Sequence, residues 1–364
     1  MDTIRKRIVW IALVLLLLPV LTSFNPVATK PKKAKNVILM IGDGMGIAHM
    51  YAAWTFNKGM LNMTTFPYTG LSLTYSADNY ITDSAAGATA LSTGQKTNNG
   101  FIAVDTSKKK LKTILEIAED NGLSTGLVST SAITHATPAS FIAHQPSRNL
   151  YEDIAADFLK TDIEVFIGGG ADHFNKRKDG RDLTKELAAK GYQLAFSTDE
   201  FKKVKSGKLC AWTAPEHNPY FRDGRGDMLP AATQKAISLL APNSKGFFLM
   251  VEGSMIDFAN HARNDDNAIA ETVDFDKAVG VALEFARKDG NTLVIVLADH
   301  ESGGMALVGG NIAKGEVEAD FETFEHTAVP VPVYAFGPGA EMFTGVYENN
   351  TVFNKMLHAY GISK

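Results

Sequence analysis

A single cysteine, Cys210, in 364 residues leaves no partner for an intrachain disulfide. Stability must therefore come from packing and from any bound ions, even in an oxidising compartment. Excess positive charge is also missing. The 36 Lys and Arg face 40 Asp and Glu, a formal net charge of −4, which argues against an extended basic surface for nucleic acid. The chain has no convincing internal repeat, no low-complexity linker and no composition break that would mark a domain boundary. Its one long apolar run, IVWIALVLLLLPVL at positions 8–21, is broken by Pro19 and is short for a membrane span of about 20 residues. Arg5, Lys6 and Arg7 precede that run, the arrangement of a secretory signal. No Cys follows it, so the start is not a lipidated one. The expectation is a signal peptide over 1–28 with cleavage near Ala28, a basic spacer over 29–35, and export to the periplasm or the exterior. An uncleaved N-terminal anchor is the alternative.

What is present is an ordinary globular composition, 45% hydrophobic and 21% charged, with 31 glycines for tight loops. Apolar runs that end in glycine or in acids, such as NVILMIGDG, IEVFIGGG, GFFLMVEG and NTLVIVLADH, predict buried strands. Between them, KKKLKTILEIAEDNG, NLYEDIAADFLK, RDLTKELAAKG, LPAATQKAISLL and AIAETVDFDKAVGVALEFARKDG predict helices, and NNTVFNKMLHAYG a last one. Strand–helix alternation of this kind predicts an α/β fold: a largely parallel sheet with helices on both faces, as one domain over 36–364. The rhythm lapses near 200–228, where CAWTAPEHNPYFRDGRGD predicts an irregular surface excursion, and again at GGNIAKGEVEADFETFEHT, which predicts a loop. Trp212 and Tyr220 in the excursion are candidates for a substrate rim or a subunit contact, against an ordinary packed-aromatic role.

The stretch TDSAAGATALSTG predicts the start of a tightly packed helix. Ser84 there would sit among outward-facing N–H groups suited to an anion, as either a helix cap or a nucleophile. Three predicted strands end in acids: Asp43, Glu252, and Asp299 with His300. Carboxyl ends of parallel strands are where ligands bind, and several carboxylates gathered at one sheet edge need a counterion. Asp257 and His261 stand four apart, on one face if SMIDFANHAR is helical, and His326 follows in FEHT. Mixed carboxylate and imidazole donors suit zinc, and all-oxygen sets suit magnesium. Spacing alone leaves open which of these residues share an ion.

In their order along the chain, IGDGMG, TDSAAGATALSTGQKT, HATPA, SRNL, VEGSMIDFANH, ADHESGG and FEHT closely resemble the alkaline phosphatase family, from position 36 nearly to the C-terminus. The resemblance implies a three-layer α/β/α fold and hydrolysis of phosphate monoesters to alcohol and phosphate through a covalent phosphoserine. It implies a two-zinc in-line mechanism with an auxiliary magnesium, and commonly a homodimer. By the same resemblance Ser84 is the nucleophile, with Asp83 just before it, and Arg148 clamps the phosphate. Asp257, His261 and His326 would hold the first zinc; Asp43, Ser84, Asp299 and His300 the second; Asp43, Thr137 and Glu252 the magnesium. The substrates implied are small phosphate monoesters, with inorganic phosphate as a product inhibitor and no nucleic-acid-specific binding.

Two positions depart from one bacterial pattern. His135 stands where some bacterial relatives carry aspartate and animal ones histidine, and Phe258 replaces a lysine of those bacterial relatives. Both are expected to tune phosphate retention and the third ion site, or else simply to pack. The other histidines, His49, His144, His173, His217 and His358, match no family role. A phosphodiesterase or phosphonate hydrolase of the same superfamily, and a noncatalytic phosphate- or metal-binding protein, are the alternative functions.

Overall fold

In the computed structural model residues 32–363 are described; the expected signal peptide and residues 29–31 of the basic spacer lie outside them. In chain order the strands are β1 (Asn36–Gly42), β2 (Tyr68–Leu73), β3 (Ser124–Ala132), β4 (Val165–Gly169), β5 (Gln193–Ala195), β6 (Leu209–Trp212) and β7 (Phe247–Gly253). They continue with β8 (Thr292–Leu297), β9 (Glu301–Ser302), β10 (Met305–Asn311), β11 (Glu316–Phe321), β12 (His326–Thr327), β13 (Val331–Phe336) and β14 (Gly345–Glu348). The helices that matter for the site are α1 (Ile47–Phe56), α2 (Ser84–Thr93), α3 (Ala136–Ile142), α4 (Met228–Leu240), α5 (Met255–His261), α6 (Asp265–Asp289) and α7 (Thr351–Tyr360).

Ten strands form one sheet in the order β14-β2-β13-β8-β1-β7-β3-β4-β6-β5, in which only β13 runs antiparallel to its neighbours. Central β1 is buried at every residue, as its unbroken apolar sequence predicts. Its side chains alternate between two cores. Val37, Leu39 and Ile41 join the one that contains α2, α3 and α7 residues; Ile38 and Met40 join the one built on α4 and α6. The result is the expected three-layer α/β/α arrangement.

Register then places the acids. Ile41 pairs with Glu252 on β7 and with Leu297 on β8, so Asp43 and Asp299, each two residues further on, emerge beside Glu252 at the same sheet edge. The small side chains of α2 serve this edge. All ten of its residues are buried, and a Cβ on Gly87 would come within 3.1 Å of the Asp299 carbonyl. Only a smooth helix can lie this close to the strand end that carries Asp299.

Three segments differ from expectation. The excursion is shorter than 200–228, because Leu209–Trp212 is a buried strand between β4 and β5. Trp212 is 1% exposed and stacks among Phe166, Phe174 and Phe196, so it packs the core and forms no rim. The expected loop after ADHESGG is a β10–β11 hairpin, and EVEADF in β11 alternates exposed and half-buried residues, the period-two signal of a strand. The stretch TGLVSTSAITHATPA reads as a strand followed by a loop, yet its HATPA opens helix α3.

What remains of the excursion is tied to α6 by a buried ion triad. Arg225 donates to Glu271 Oε1 at 3.0 Å and to Asp274 Oδ2 at 3.0 Å, and all three side chains are almost fully buried. Arg225→Ala would strand two carboxylates in the interior and should cost about 3–5 kcal/mol. Urea unfolding measures this; a loss no larger than that of an exposed ion pair, below about 1 kcal/mol, would contradict it.

Candidate active site

The turn after β1, the N-terminus of α2, helix α5 and the segment from β8 to β12 meet at this sheet edge. Ser84 is the first residue of α2 and is 1% exposed, while Asp83 is the cap, its Oδ1 accepting from the Ala86 N–H at 2.9 Å. Ser84 is thus free of a capping duty. Its Oγ lies 3.2 Å from His300 Nε2.

The other oxygen of Asp83 accepts from the Gly100 N–H at 2.9 Å and from Arg148 Nη1 at 3.0 Å. Asp83 therefore fastens the helix start, a loop and the guanidinium to one another. Arg148 Nη2 reaches His135 Nε2 at 3.3 Å. Burial and the neighbouring Arg148 and His217 push the His135 pKa well down, so this imidazole is neutral and can accept from Arg148.

Three groups of side chains could each hold a cation: Asp257, His261 and His326; Asp43, Asp299 and His300; and Asp43, His135 and Glu252. The first is built on α5, whose helical geometry puts Asp257 and His261 on one face as their spacing predicts. His261 Nδ1 donates to the Phe324 carbonyl, and His326 Nδ1 to the Thr82 carbonyl at 2.9 Å. Both Nε2 atoms are thereby turned toward each other, 3.1 Å apart and facing the Asp257 carboxylate. Two lone pairs that close repel unless a proton or a cation lies between them. Backbone bonds that fix the far ring nitrogen are the usual support of metal-binding histidines.

The second and third groups share Asp43. Neither of its oxygens meets a hydrogen-bond donor, nor do Asp299 Oδ2 and Glu252 Oε1, although all are buried. Burial raises the pKa of Asp43 well above the usual carboxylate range, and Asp299, Asp257 and Glu252 raise it further. Asp299 is raised by burial and by Asp257 and Glu252, and Glu252 by burial above all. Orphaned acceptors in a patch of like charge are what cations satisfy. Thr137 and Ser129 adjoin the Glu252 carboxylate, and Ser129 Oγ donates to its Oε2 at 2.6 Å. The donor chemistry accordingly fits three ions, two at sites with imidazole and one at a largely oxygen site that His135 also reaches.

Every residue that the family resemblance assigns to the site is therefore in this one region. Phe258 lies with its ring against His135, 5.6 Å between centroids, and His217, 4.9 Å, on the Arg148 side. Sequence reasoning missed Ser302, whose Oγ donates to Asp257 Oδ1 and lies 3.3 Å from His300 Nδ1, so that it links the first two clusters. It missed His217 as well, whose Nδ1 accepts from the Ala132 N–H at 3.1 Å beside His135. A lone Ser or His carries no spacing signal, and only the fold brings either to the site.

A serine at a helix start, a guanidinium held beside it and three cation clusters on an α/β/α sheet edge define a multi-metal phosphomonoesterase. The alkaline phosphatase family model matches residues 34–320. Alkaline phosphatase 4 of Bacillus subtilis is 36% identical, over 90% of this chain and 89% of its own. The Escherichia coli alkaline phosphatase is 34% identical, over 91% and 87%. Among solved structures, the alkaline phosphatase of the Antarctic bacterium TAB5 superposes with a TM-score of 0.87 at 42% identity, covering 92% of this chain and all of that one. The chain belongs to the alkaline phosphatase family. It is a hydrolase of phosphate monoesters, with a multi-metal site and Ser–His contacts suited to phosphoserine chemistry.

The first cluster carries a pH signature. Hydrogen bonding to Asp257 raises the His261 pKa to about 9, against the opposing pull of burial. An arriving cation must displace that proton. In metal-free protein the affinity of this cluster for zinc should therefore rise by up to about tenfold per pH unit from neutrality and level off above about pH 9. Chelator-competition titrations across that range measure it; a flat profile would contradict the assignment.

Proposed function

We propose that Ser84 Oγ attacks the phosphorus of a small phosphate monoester while Arg148 binds two nonbridging oxygens through its planar fork. The observation that carries this reading is Ser84 Oγ 3.2 Å from His300 Nε2, beside buried carboxylates that lack donors. Asp257, His261 and His326 would hold one zinc, Asp43, Ser84, Asp299 and His300 the second, and Asp43, Thr137 and Glu252 a magnesium. Bound zinc would activate the serine hydroxyl and stabilise charge on the attacking and leaving oxygens, while bound magnesium would order the site.

The chain's own groups do the rest. Ser84 Oγ forms the new P–O bond as the bond to the alcohol breaks, and the α2 amides add favourable field for the phosphoryl charge. Asp83 keeps Arg148 aimed throughout. Water then displaces Ser84 from phosphorus, releasing phosphate, which Arg148 can retain as a product inhibitor. Ser302 would take the Nδ1 proton of His300 in a hydrogen bond and pass its own to Asp257, leaving His300 Nε2 to face Ser84.

The TAB5 enzyme is also solved as His-to-Glu and His-to-Asp variants with magnesium bound in the M3 site. Those structures support magnesium as a third ion in such a relative where a carboxylate replaces the histidine, and His135 of this chain could offer its imidazole to the third cluster only by giving up the bond from Arg148. The apolar N-terminal run supports export; among the described residues no helix is long and apolar enough to cross a membrane. A homodimer is the assembly the family suggests.

Purified protein should turn over a monoester much faster than a diester, lose activity to chelator and regain it with zinc and magnesium. Ser84→Ala should abolish the phosphoserine burst while metal binding largely persists. Predominant diester turnover would make the protein a phosphodiesterase. Phosphate binding without turnover would make it a binding protein, and a full burst in the Ala variant would exclude Ser84 as nucleophile.

With an aromatic ring at position 258 where a lysine could reach phosphate, product should be held weakly. Phe258→Lys should tighten phosphate inhibition by about tenfold, the worth of one charge-assisted hydrogen bond, and reduce the demand for added magnesium. An unchanged inhibition constant across a magnesium titration would leave Phe258 and His135 with packing roles only.

A further inference from the structure

Helix α5 carries two of the three residues of the first cluster, yet it is only seven residues long. Helices this short are not self-supporting, so tertiary ties must set where Asp257 and His261 stand. Its only polar side chain outside the cluster is Asn260, which is completely buried. Asn260 Oδ1 lies 3.0 Å from Nε2 of His49, and its Nδ2 donates to the Gly44 carbonyl at 3.4 Å.

His49 is itself 1% exposed, and its Nδ1 accepts from the Gly46 N–H at 3.0 Å. That bond puts the ring proton on Nε2, where it donates to Asn260 and so orients the amide. Burial keeps the imidazole neutral, with its pKa held down at about 4. One directed chain results: Gly46 N–H to His49, His49 to Asn260, Asn260 to the Gly44 carbonyl. It begins and ends in the turn that follows Asp43 and passes through the helix of Asp257 and His261.

The turn leaves no slack. Gly44 has φ +72°, and a Cβ there would stand 2.6 Å from Ser302 Oγ and 2.9 Å from Asp257 Oδ1. Asp43 belongs to the second and third clusters, so whatever fixes this turn against α5 fixes the first cluster relative to the other two. A histidine that belongs to none of the clusters is in this way tied to their relative placement.

We propose that His49, acting through Asn260, is a positioning residue that sets the placement of the Asp257–His261–His326 cluster against Asp43. This rests on the assignment of the three clusters as ion sites. Loosening the tie weakens one ion class and leaves the others, because Asp43, Glu252 and Asp299 are fixed by sheet register.

The experiment compares His49→Gln, His49→Asn and His49→Ala in the full chain. Glutamine places its amide nitrogen where Nε2 stood and keeps the bond to Asn260. Asparagine, with its amide closer to the backbone, can keep only the bond from the Gly46 N–H. Zinc bound per chain is measured at buffered free zinc by chelator competition, and thermal unfolding confirms that each variant folds.

The Asn and Ala variants should bind one of the zinc ions about tenfold more weakly, as loss of an outer support typically does, and the Gln variant should match the parent. Unchanged binding in all three would overturn the proposal. So would loss in Gln with retention in Asn, which would make His49 a helix-start acceptor only, or equal weakening of every ion, which would mean general loosening. A parent chain that takes up no zinc would overturn the cluster assignment itself, and the proposal with it.

Discussion

Buried negative charge at one sheet edge is the constraint on which the site depends. The hydrogen-bond register of β1 with β7 and β8 brings Asp43, Glu252 and Asp299 together whether or not anything neutralises them. Burial and mutual repulsion drive their proton affinities up, so without cations the edge would hold protons in place of charge. The fold thus creates an electrostatic cost that only ions can remove while keeping the carboxylates ionised. That cost is also what gives ions their hold on the site.

Around this charge the supporting parts are economical. A helix of small side chains lets Ser84 approach the strand ends, and one aspartate, Asp83, caps that helix, fastens a loop and holds Arg148. The nucleophile and the phosphate clamp are therefore joined through a single carboxylate. A shift of the α2 start moves both together, which preserves their spacing better than separate anchors would. Backbone carbonyls do the same for His261 and His326, fixing each ring through the nitrogen that faces away from the cluster.

Much of this was legible in the residues. Strand ends announced Asp43, Glu252 and Asp299, because buried parallel strands read as unbroken apolar runs and stop where polar groups begin. The i, i+4 spacing of Asp257 and His261 announced their shared face. Roles for Thr137, Arg148 and His326 came only through the family resemblance, since each is an ordinary residue in its own segment. The β10–β11 hairpin and the strand at Leu209–Trp212 escaped notice for opposite reasons. The hairpin's second strand, EVEADF, does alternate polar and apolar residues, a signal obscured by the polar, glycine-rich segment around it, whereas the strand at Leu209–Trp212 is only four residues long. Trp212 shows how a large aromatic in an apparent loop can be a core residue once a short strand is recognised. Ser302, His217 and the His49–Asn260 pair lay beyond reach, because each also contacts a segment distant in sequence and no local pattern encodes that contact.

Sharing Asp43 between two clusters has a consequence for how the site fills. An ion at the Asp43–Asp299–His300 cluster draws charge from the carboxylate that the third cluster also uses, yet it removes the repulsion that keeps Asp43 and Glu252 protonated. The first effect weakens binding of the next ion and the second strengthens it. Among the described residues no Lys or Arg contacts Asp43, and a protonated carboxyl is a poor ligand while a shared ionised one still offers a second oxygen, so relief of repulsion would be the larger contribution. By linkage, occupancy at either cluster must then favour occupancy at the other by the same factor. The first cluster shares no carboxylate with them, but Asp257 raises the proton affinity of Asp43 and Asp299, so it is coupled to them by charge as well as through Ser302. On this argument the buried pair of sites would fill together, and the more exposed site, where His261 holds a proton of its own, would be the one most open to exchange.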